Sequence, residues 1–227
     1  MNNIKGAIFD MDGLMIDTEK LYLKFWILAA KDFGYDMTPE HVYSMRSMAR
    51  KFSIPLLKGI FGEDCPTEDI RAHRTELMNE YIKEHGLEVK KGLFTLLDYL
   101  RGKGIKMAVA TATPRERTVE YLRTIGAADY FSAVICGDMI ETGKPAPDIY
   151  LTAARELGLP PQQCAAFEDS PNGIKAAHAA GCFAVMIPDM TQPDEEIKPL
   201  LSAVYDSLDM AVDFFERGNN NERFRDI

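Results

Sequence analysis

The sequence predicts an α/β protein: a parallel sheet with helices on both faces, interrupted after its first strand by an inserted block of four helices. Three observations predict it. Short apolar runs of strand length recur at residues 7–9, 105–111, 133–136, 165–167 and 183–187. From residue 92 onward, one-faced helical stretches alternate with these runs. Residues 18–88 break the alternation and carry helical signals only.

Ala7-Ile8-Phe9 is short and wholly apolar, as expected of a strand buried on both faces, and it stops at Asp10. Leu21, Phe25, Leu28 and Ala29 mark the core face of a first helix, closed near Gly34. Thr38-Pro39-Glu40 opens a second helix, residues 50–59 form a third, and residues 67–85 form a fourth, stopped by Gly86. Short loops between them imply a small antiparallel bundle, with Val89-Lys90-Lys91-Gly92 as the return linker. Leu93, Leu96, Leu97 and Leu100 then define a one-faced helix that Gly104 ends, before the strand closing on Thr111. Thr113-Pro114-Arg115-Glu116 reads as a capping box with proline at the first helical position, opening a helix that carries Val119 and Leu122. A strand over 133–136, a helix over 149–157 begun by Pro147, and a strand ending at Glu168 follow. Ser170-Pro171 starts a further helix, Gly181 ends it, and residues 183–187 form another strand. The expected division is a core of residues 1–17 and 89–216, a helical unit of residues 18–88, and a frayed tail of residues 217–227.

Composition narrows the class of protein. A chain of 227 residues can hold one large domain or a domain with an insert. Its formal net charge of -9, without a basic run, argues against a nucleic-acid or anionic-membrane partner. No stretch approaches the about 18 apolar residues of a membrane span, and the first strand follows the N-terminus too closely for a cleavable signal peptide. Cys65, Cys136, Cys164 and Cys182 are spaced unlike zinc ligands, so the expectation is buried free thiols in a cytoplasmic protein.

The chemistry concentrates at strand ends. Asp10 and Asp12, two residues apart in an extended segment, would face one cavity, and Gly13 allows a sharp turn or a close approach. Two carboxylates at one spot repel unless a cation or a shared proton intervenes. A divalent metal on oxygen ligands, with one carboxylate left for acid/base work, is the economical explanation. The pattern is not a calcium loop, which wants glycine sixth and glutamate twelfth. Thr111 ends the second apolar run, Lys144 sits in the stiffened stretch Gly143-Lys144-Pro145-Ala146-Pro147, and Glu168-Asp169-Ser170 closes a third buried run. Asp10, Thr111 and Asp169 thus share the carboxyl edge of the predicted sheet, where ligands of such sheets sit.

These segments, in this order, resemble the four motifs of the haloacid-dehalogenase-like (HAD) hydrolases, in the branch of β-phosphoglucomutases and related phosphatases. The N-terminal string runs Asp10-Met11-Asp12-Gly13, three residues, then Asp17-Thr18-Glu19. The resemblance implies a Rossmann-like core and a four-helix cap, residues 18–88, over the cleft. It implies that Asp10 attacks phosphorus to form an aspartyl-phosphate and that Asp12 serves as general acid and base. It implies Mg2+ held by Asp10, the Asp12 main-chain carbonyl and Asp169, with Glu168 as a ligand or its partner. Thr111, the adjacent Ala112 and Lys144 would hold the phosphoryl oxygens. Tyr22, Arg46 and Arg50 are the cap side chains offered to a small phosphorylated metabolite.

Two substitutions bear on the reaction. Mutases of this branch carry histidine where Tyr22 stands and lysine where Pro114 stands, whereas Arg50 matches an arginine they keep. Losing two of those groups favours a phosphatase of small phosphomonoesters, sugar or polyol phosphates, with a sugar-phosphate mutase as the alternative. A phospho-acceptor signalling module is the non-enzymatic alternative. It too sets strand-end aspartates, a hydroxyl and a lysine around magnesium, but it lacks the helical insert and the Asp-x-Asp-Gly spacing.

Overall fold

In the computed structural model the described residues are 4–45, 48 and 50–217, with the backbone alone described at 51 and 217. The chain begins with β1 (Gly6–Phe9) and passes into four helices: α1 (Glu19–Asp32), α2 (Pro39–Ser44), α3 (Arg50–Phe61) and α4 (Thr67–His85). It continues through α5 (Leu93–Gly102), β2 (Lys106–Thr111), α6 (Arg115–Thr124), β3 (Ala133–Cys136), α7 (Asp148–Glu156) and β4 (Cys164–Glu168). Last come α8 (Pro171–Ala179), β5 (Phe183–Met186), β6 (Ala203–Val204) and α9 (Val212–Arg217).

The six strands form one parallel sheet in the order β3-β2-β1-β4-β5-β6. Strand alternation explains its two cores. Ala7, Phe9, Met107, Val109, Ala165 and Phe167 face one side, against α5, α6 and α9. Ile8, Ala108, Ala110, Cys164 and Ala166 face the other, against α7 and α8. Because both faces are covered, β1 and β4 are fully buried and read as continuous apolar runs.

The order fixes where a ligand can enter. From β1 the chain builds outward through β2 and β3 on one side, then returns to lay β4, β5 and β6 on the other. The reversal lies between β1 and β4, which pair in register with Phe9 opposite Phe167. Open parallel sheets bind ligands beyond the carboxyl ends at such a point. Asp10 follows β1 there, and Asp169 follows β4.

The helical insert has an apolar cluster of its own, with Trp26, Ala29, Met37, Val42, Leu57 and Ile70 buried. Its two connections to the core run side by side. Ile16 bridges Val89 antiparallel, and Lys90 N–H donates to Met15 C=O at 3.0 Å.

Most predicted elements occur where expected, and the differences are instructive. The fourth helix spans the predicted residues. Leu28, expected on the core face of the first helix, is 38% exposed. Val119 is only half-buried, and Thr118 and Tyr121 pack inward with Leu122 instead. β6 and α9 had no expectation, since a two-residue strand carries no usable periodicity. Of the predicted tail, Arg217 ends α9 and the rest lies outside the described residues. All four cysteines are free and buried, and among the described residues no helix is long and apolar enough to cross a membrane.

Candidate active site

Asp10 continues the β1 ladder by donating its N–H to Phe167 C=O at 3.0 Å, which holds its side chain beside the end of β4. Asp10, Glu168 and Asp169 are each buried, and each offers a carboxylate oxygen within 4.8 Å of the others'. Lys144 is the counter-charge. Its ammonium donates to Asp10 Oδ1, to Glu168 Oε1 at 2.5 Å and to Ala110 C=O at 3.0 Å. Tyr150 OH and Ser170 Oγ also donate to Glu168, at 2.5 and 3.1 Å, so that carboxylate is held from three sides. Sequence reasoning missed Tyr150, which lies on the buried face of α7 with Ile149 and Ala153.

Burial alone would depress the Lys144 ammonium, but the Asp10 and Glu168 carboxylates override it and hold it above the ordinary lysine value. The Asp10 carboxyl is raised well above its usual range. Burial is the main cause; Lys144 opposes the rise and Glu168, Asp169 and Asp12 add to it. The Lys144 contact does not cancel this because three carboxylates face one ammonium, a balance that a divalent cation corrects. Backbone packing fits the same purpose. At Gly13, φ +85°, a Cβ would lie 2.3 Å from Asp169 Oδ2, so only glycine lets the β1 loop approach that carboxylate. Three hard oxygen donors in a closely lined recess fit a small divalent cation.

Asp12 points away from this cluster. Its Oδ1 accepts from Thr18 Oγ1 at 2.6 Å, and its Oδ2 accepts from Thr113 Oγ1 at 2.7 Å and from Thr111 Oγ1 at 3.4 Å. Its carboxylate is therefore not part of the acidic triad, which leaves its main chain for the metal role that the resemblance implies. The expected capping box at Thr113 is not formed. Pro114 is extended and α6 begins at Arg115, whose N–H is taken by the Asp138 carboxylate at 3.2 and 3.3 Å. A hydrogen bond to a carboxylate is about twice as strong as a neutral one, so Thr113 serves Asp12 rather than the helix.

Asp10 and Asp12 open on one cavity of about 140 Å³ between the sheet edge and the helical insert. Thr111, Ala112 and Tyr22, three of the predicted site residues, line it. Lys144, Glu168 and Asp169 do not, so Lys144 meets the cavity only through Asp10. Arg50 is a correction: it faces outward and pairs with exposed Glu68, Nη2 to Oε2 at 2.7 Å. Arg46 lies outside the described residues. The cations that do line the cavity are Arg71, Arg74 and Arg117, none of them foreseen. Arg71 and Arg74 sit three residues apart in α4, a helix whose long polar stretch gave no sign of which charges turn inward. Burial pushes the Tyr22 phenol up; Asp12 adds to this, while Arg74, Arg117 and a hydrogen bond with Thr113 oppose it.

Comparison with known proteins places the chain. Residues 4–181 match the model of the haloacid dehalogenase-like hydrolases. The chain belongs to that family. It is 31% identical over 182 residues to the phosphorylated carbohydrates phosphatase of Thermotoga maritima, covering 78% of this chain and 82% of that one. It is 30% identical over 190 residues to the β-phosphoglucomutase of Bacillus subtilis, covering 80% and 82%. The crystal structure of CbbY from Rhodobacter sphaeroides with phosphate matches with a TM-score of 0.77 and 28% identity, over 92% of this chain and 96% of that one. This HAD-like hydrolase is accordingly an enzyme, and the non-enzymatic phospho-acceptor alternative is set aside.

Proposed function

We propose that this HAD-like hydrolase is a magnesium-dependent phosphatase of small phosphomonoesters, sugar or polyol phosphates among them, acting through an aspartyl-phosphate on Asp10. The observation that carries the reading is the position of Asp10: it closes one side of an acidic triad and also opens on the cavity beside Asp12. The T. maritima relative, named as a phosphatase of phosphorylated carbohydrates, supports the substrate class.

Asp10, Glu168 and Asp169 would hold the metal, with the Asp12 main-chain carbonyl. Magnesium, when bound, shields the phosphoryl charge from the attacking carboxylate. Lys144 keeps Asp10 aligned and offsets part of its charge. An Asp10 carboxylate oxygen attacks phosphorus in line, and the bond from phosphorus to the ester oxygen breaks. Asp12 gives its proton to the departing alkoxide, then takes one from the water that attacks the aspartyl-phosphate, and inorganic phosphate leaves. The hydroxyls of Thr18, Thr111 and Thr113 orient Asp12 for both transfers. Helices α1 to α4 act as a cap that excludes water and selects the substrate.

A mutase must grip a second phosphate while guarding the aspartyl-phosphate from water. Of the groups the mutases use for this, Tyr22 and Pro114 replace two and Arg50 is turned outward to Glu68, which weighs against the mutase. The test is a turnover screen of sugar, polyol and nucleotide monophosphates with magnesium, followed by product analysis on β-glucose 1-phosphate with a trace of the bisphosphate. Release of inorganic phosphate is expected. Efficient conversion to glucose 6-phosphate with negligible phosphate release would replace this reading with the mutase.

A further inference from the structure

The insert side of the cavity carries a charge arrangement that the phosphoryl chemistry leaves unused. Arg71 and Arg74 come from one face of α4, and both guanidinium carbons lie over the Trp26 ring, 5.3 and 5.0 Å from its centre. Arg74 is only 4% exposed and also lies 4.8 Å over the Tyr22 ring. Among the described residues the buried Nε atoms of both arginines have no hydrogen-bond partner, and neither arginine makes an ion pair. Arg71 reaches Ser53 Oγ at 2.6 Å, and Arg74 reaches the thioether of Met78 at 3.9 Å and the Tyr22 hydroxyl.

Both guanidiniums remain charged at neutral pH. Burial lowers Arg71 to about 10, with Arg74 and Arg50 adding to the fall and Glu68 opposing it. Burial also lowers Arg74, which Tyr22 partly offsets by its charge and a hydrogen bond and Arg117 reinforces. Of the acids that share the cavity, Asp10 is engaged by Lys144 and Asp12 by three hydroxyls. Two adjacent cations, Arg74 buried and Arg71 partly so, with no ion pair among the described residues, weaken a fold unless an anion joins them. Guanidiniums are also the side chains best shaped for bidentate contact with a carboxylate or phosphate.

We propose that Arg71 and Arg74, floored by Trp26, form a second anion subsite, so that the substrate is a phosphomonoester bearing a further carboxylate or phosphate at the end remote from the reacting group. This rests on the phosphatase reading of Asp10. It also resolves a difficulty in the composition, because an acidic chain offers its doubly anionic substrate a locally cationic wall.

The chain's one tryptophan is Trp26, so its fluorescence reports the subsite directly. In the Asp10→Asn protein with magnesium, the probes are sorbitol 6-phosphate, 6-phosphogluconate and sorbitol 1,6-bisphosphate, which differ at the carbon remote from the common phosphate. Glycerol 3-phosphate and 3-phosphoglycerate repeat the comparison on a shorter chain. The expected result is that an acid-tailed or bisphosphate probe binds at least about tenfold tighter than its neutral partner, about 1.4 kcal/mol. Arg74→Met should bring that ratio within about twofold, with Arg74→Lys intermediate, and whichever tail binds tighter identifies the second anion.

Equal affinities at both chain lengths, or an unchanged ratio in Arg74→Met, would overturn the subsite. Stability gives a second readout. Relieved of a buried uncompensated charge, Arg74→Met should melt at the same temperature or higher. A drop of several degrees would make Arg74 a structural residue and overturn the proposal as well. Binding is read without turnover, so discrimination in a catalytically silent wild type would sink the phosphatase reading alone. Turnover without discrimination would sink the subsite alone.

Discussion

In the proposed function Asp10 is a metal ligand and a nucleophile at once, and the arrangement of its neighbours is compatible with both. One oxygen is committed to Lys144, which leaves the other for the cavity side. Asp10→Asn keeps the shape and removes the charge. It should cut turnover by on the order of 10³-fold or more while far-UV circular dichroism stays unchanged; substantial residual activity in a folded variant would remove Asp10 from the nucleophile's role. Gly173 tests the support behind it. A Cβ there would fall 1.9 Å from Glu168 Cδ, and Glu168 cannot yield without losing Lys144, Tyr150 and Ser170 together. Gly173→Ala should therefore lower both stability and turnover, measured by urea unfolding and phosphate release. The core-side residues were legible because strand-end acids, a hydroxyl and a proline-flanked lysine have fixed places relative to the sheet. The cation lining was not. Nothing in a helix as polar as α4 says which of its charges faces inward, so Arg71 and Arg74 passed unnoticed, while Arg50 of α3 drew attention through its match to a mutase arginine.

Among the elements, α6 shows how a local signal can be overruled by the site. Thr113-Pro114-Arg115-Glu116 has the composition of a capping box, yet the helix starts one residue later and borrows its cap from Asp138 on the loop after β3. Stability and catalysis are thereby assigned to different residues, which makes them separable. Asp138→Ala should cost about 1 kcal/mol of stability, as loss of a cap does, and leave turnover largely intact. Thr113→Val, similar in shape but without a hydroxyl, should leave stability nearly unchanged and reduce turnover by freeing Asp12. The reverse outcome in urea unfolding and initial rates would return the cap to Thr113. By contrast, Ser170 keeps its predicted cap, accepting from Gly173 N–H at 3.2 Å while it donates to Glu168. Helix starts were thus readable from sequence except where a carboxylate across the sheet, Asp12, competed for the capping hydroxyl. Such a contact spans about a hundred residues of chain and leaves no local trace.

For the molecule as a whole, the sheet's two apolar faces set how stability responds to ligand and to pH. Excess chelator should abolish turnover and magnesium should restore it. At a hundred times its dissociation constant a cation binding only the native state adds about 2.7 kcal/mol, a rise of roughly 5–10 °C in the melting temperature of a chain this size. Full activity in chelator would rule out the metal. The alkaline limit belongs to the core beneath α7 and α8. Burial raises Cys164 to about 11, and it raises Cys182 to about 12, with Cys164 adding to the effect. An unfolded thiol titrates near about 8.5. Above that pH the unfolded chain has released both thiol protons while the native chain still holds them. The unfolded state then binds fewer protons, so stability falls as pH rises from about 9 toward 11, by up to about 1.4 kcal/mol per pH unit for each thiol. Lysines and the lowered Arg71 also titrate in this range, so wild type must be compared with a Cys164→Ala/Cys182→Ala double variant. The variant should start less stable at pH 8, because two buried side chains have been trimmed, but lose stability more slowly up to pH 10.5. Parallel curves from urea unfolding across that window would show that these thiols ionise as freely in the native sheet as in the unfolded chain.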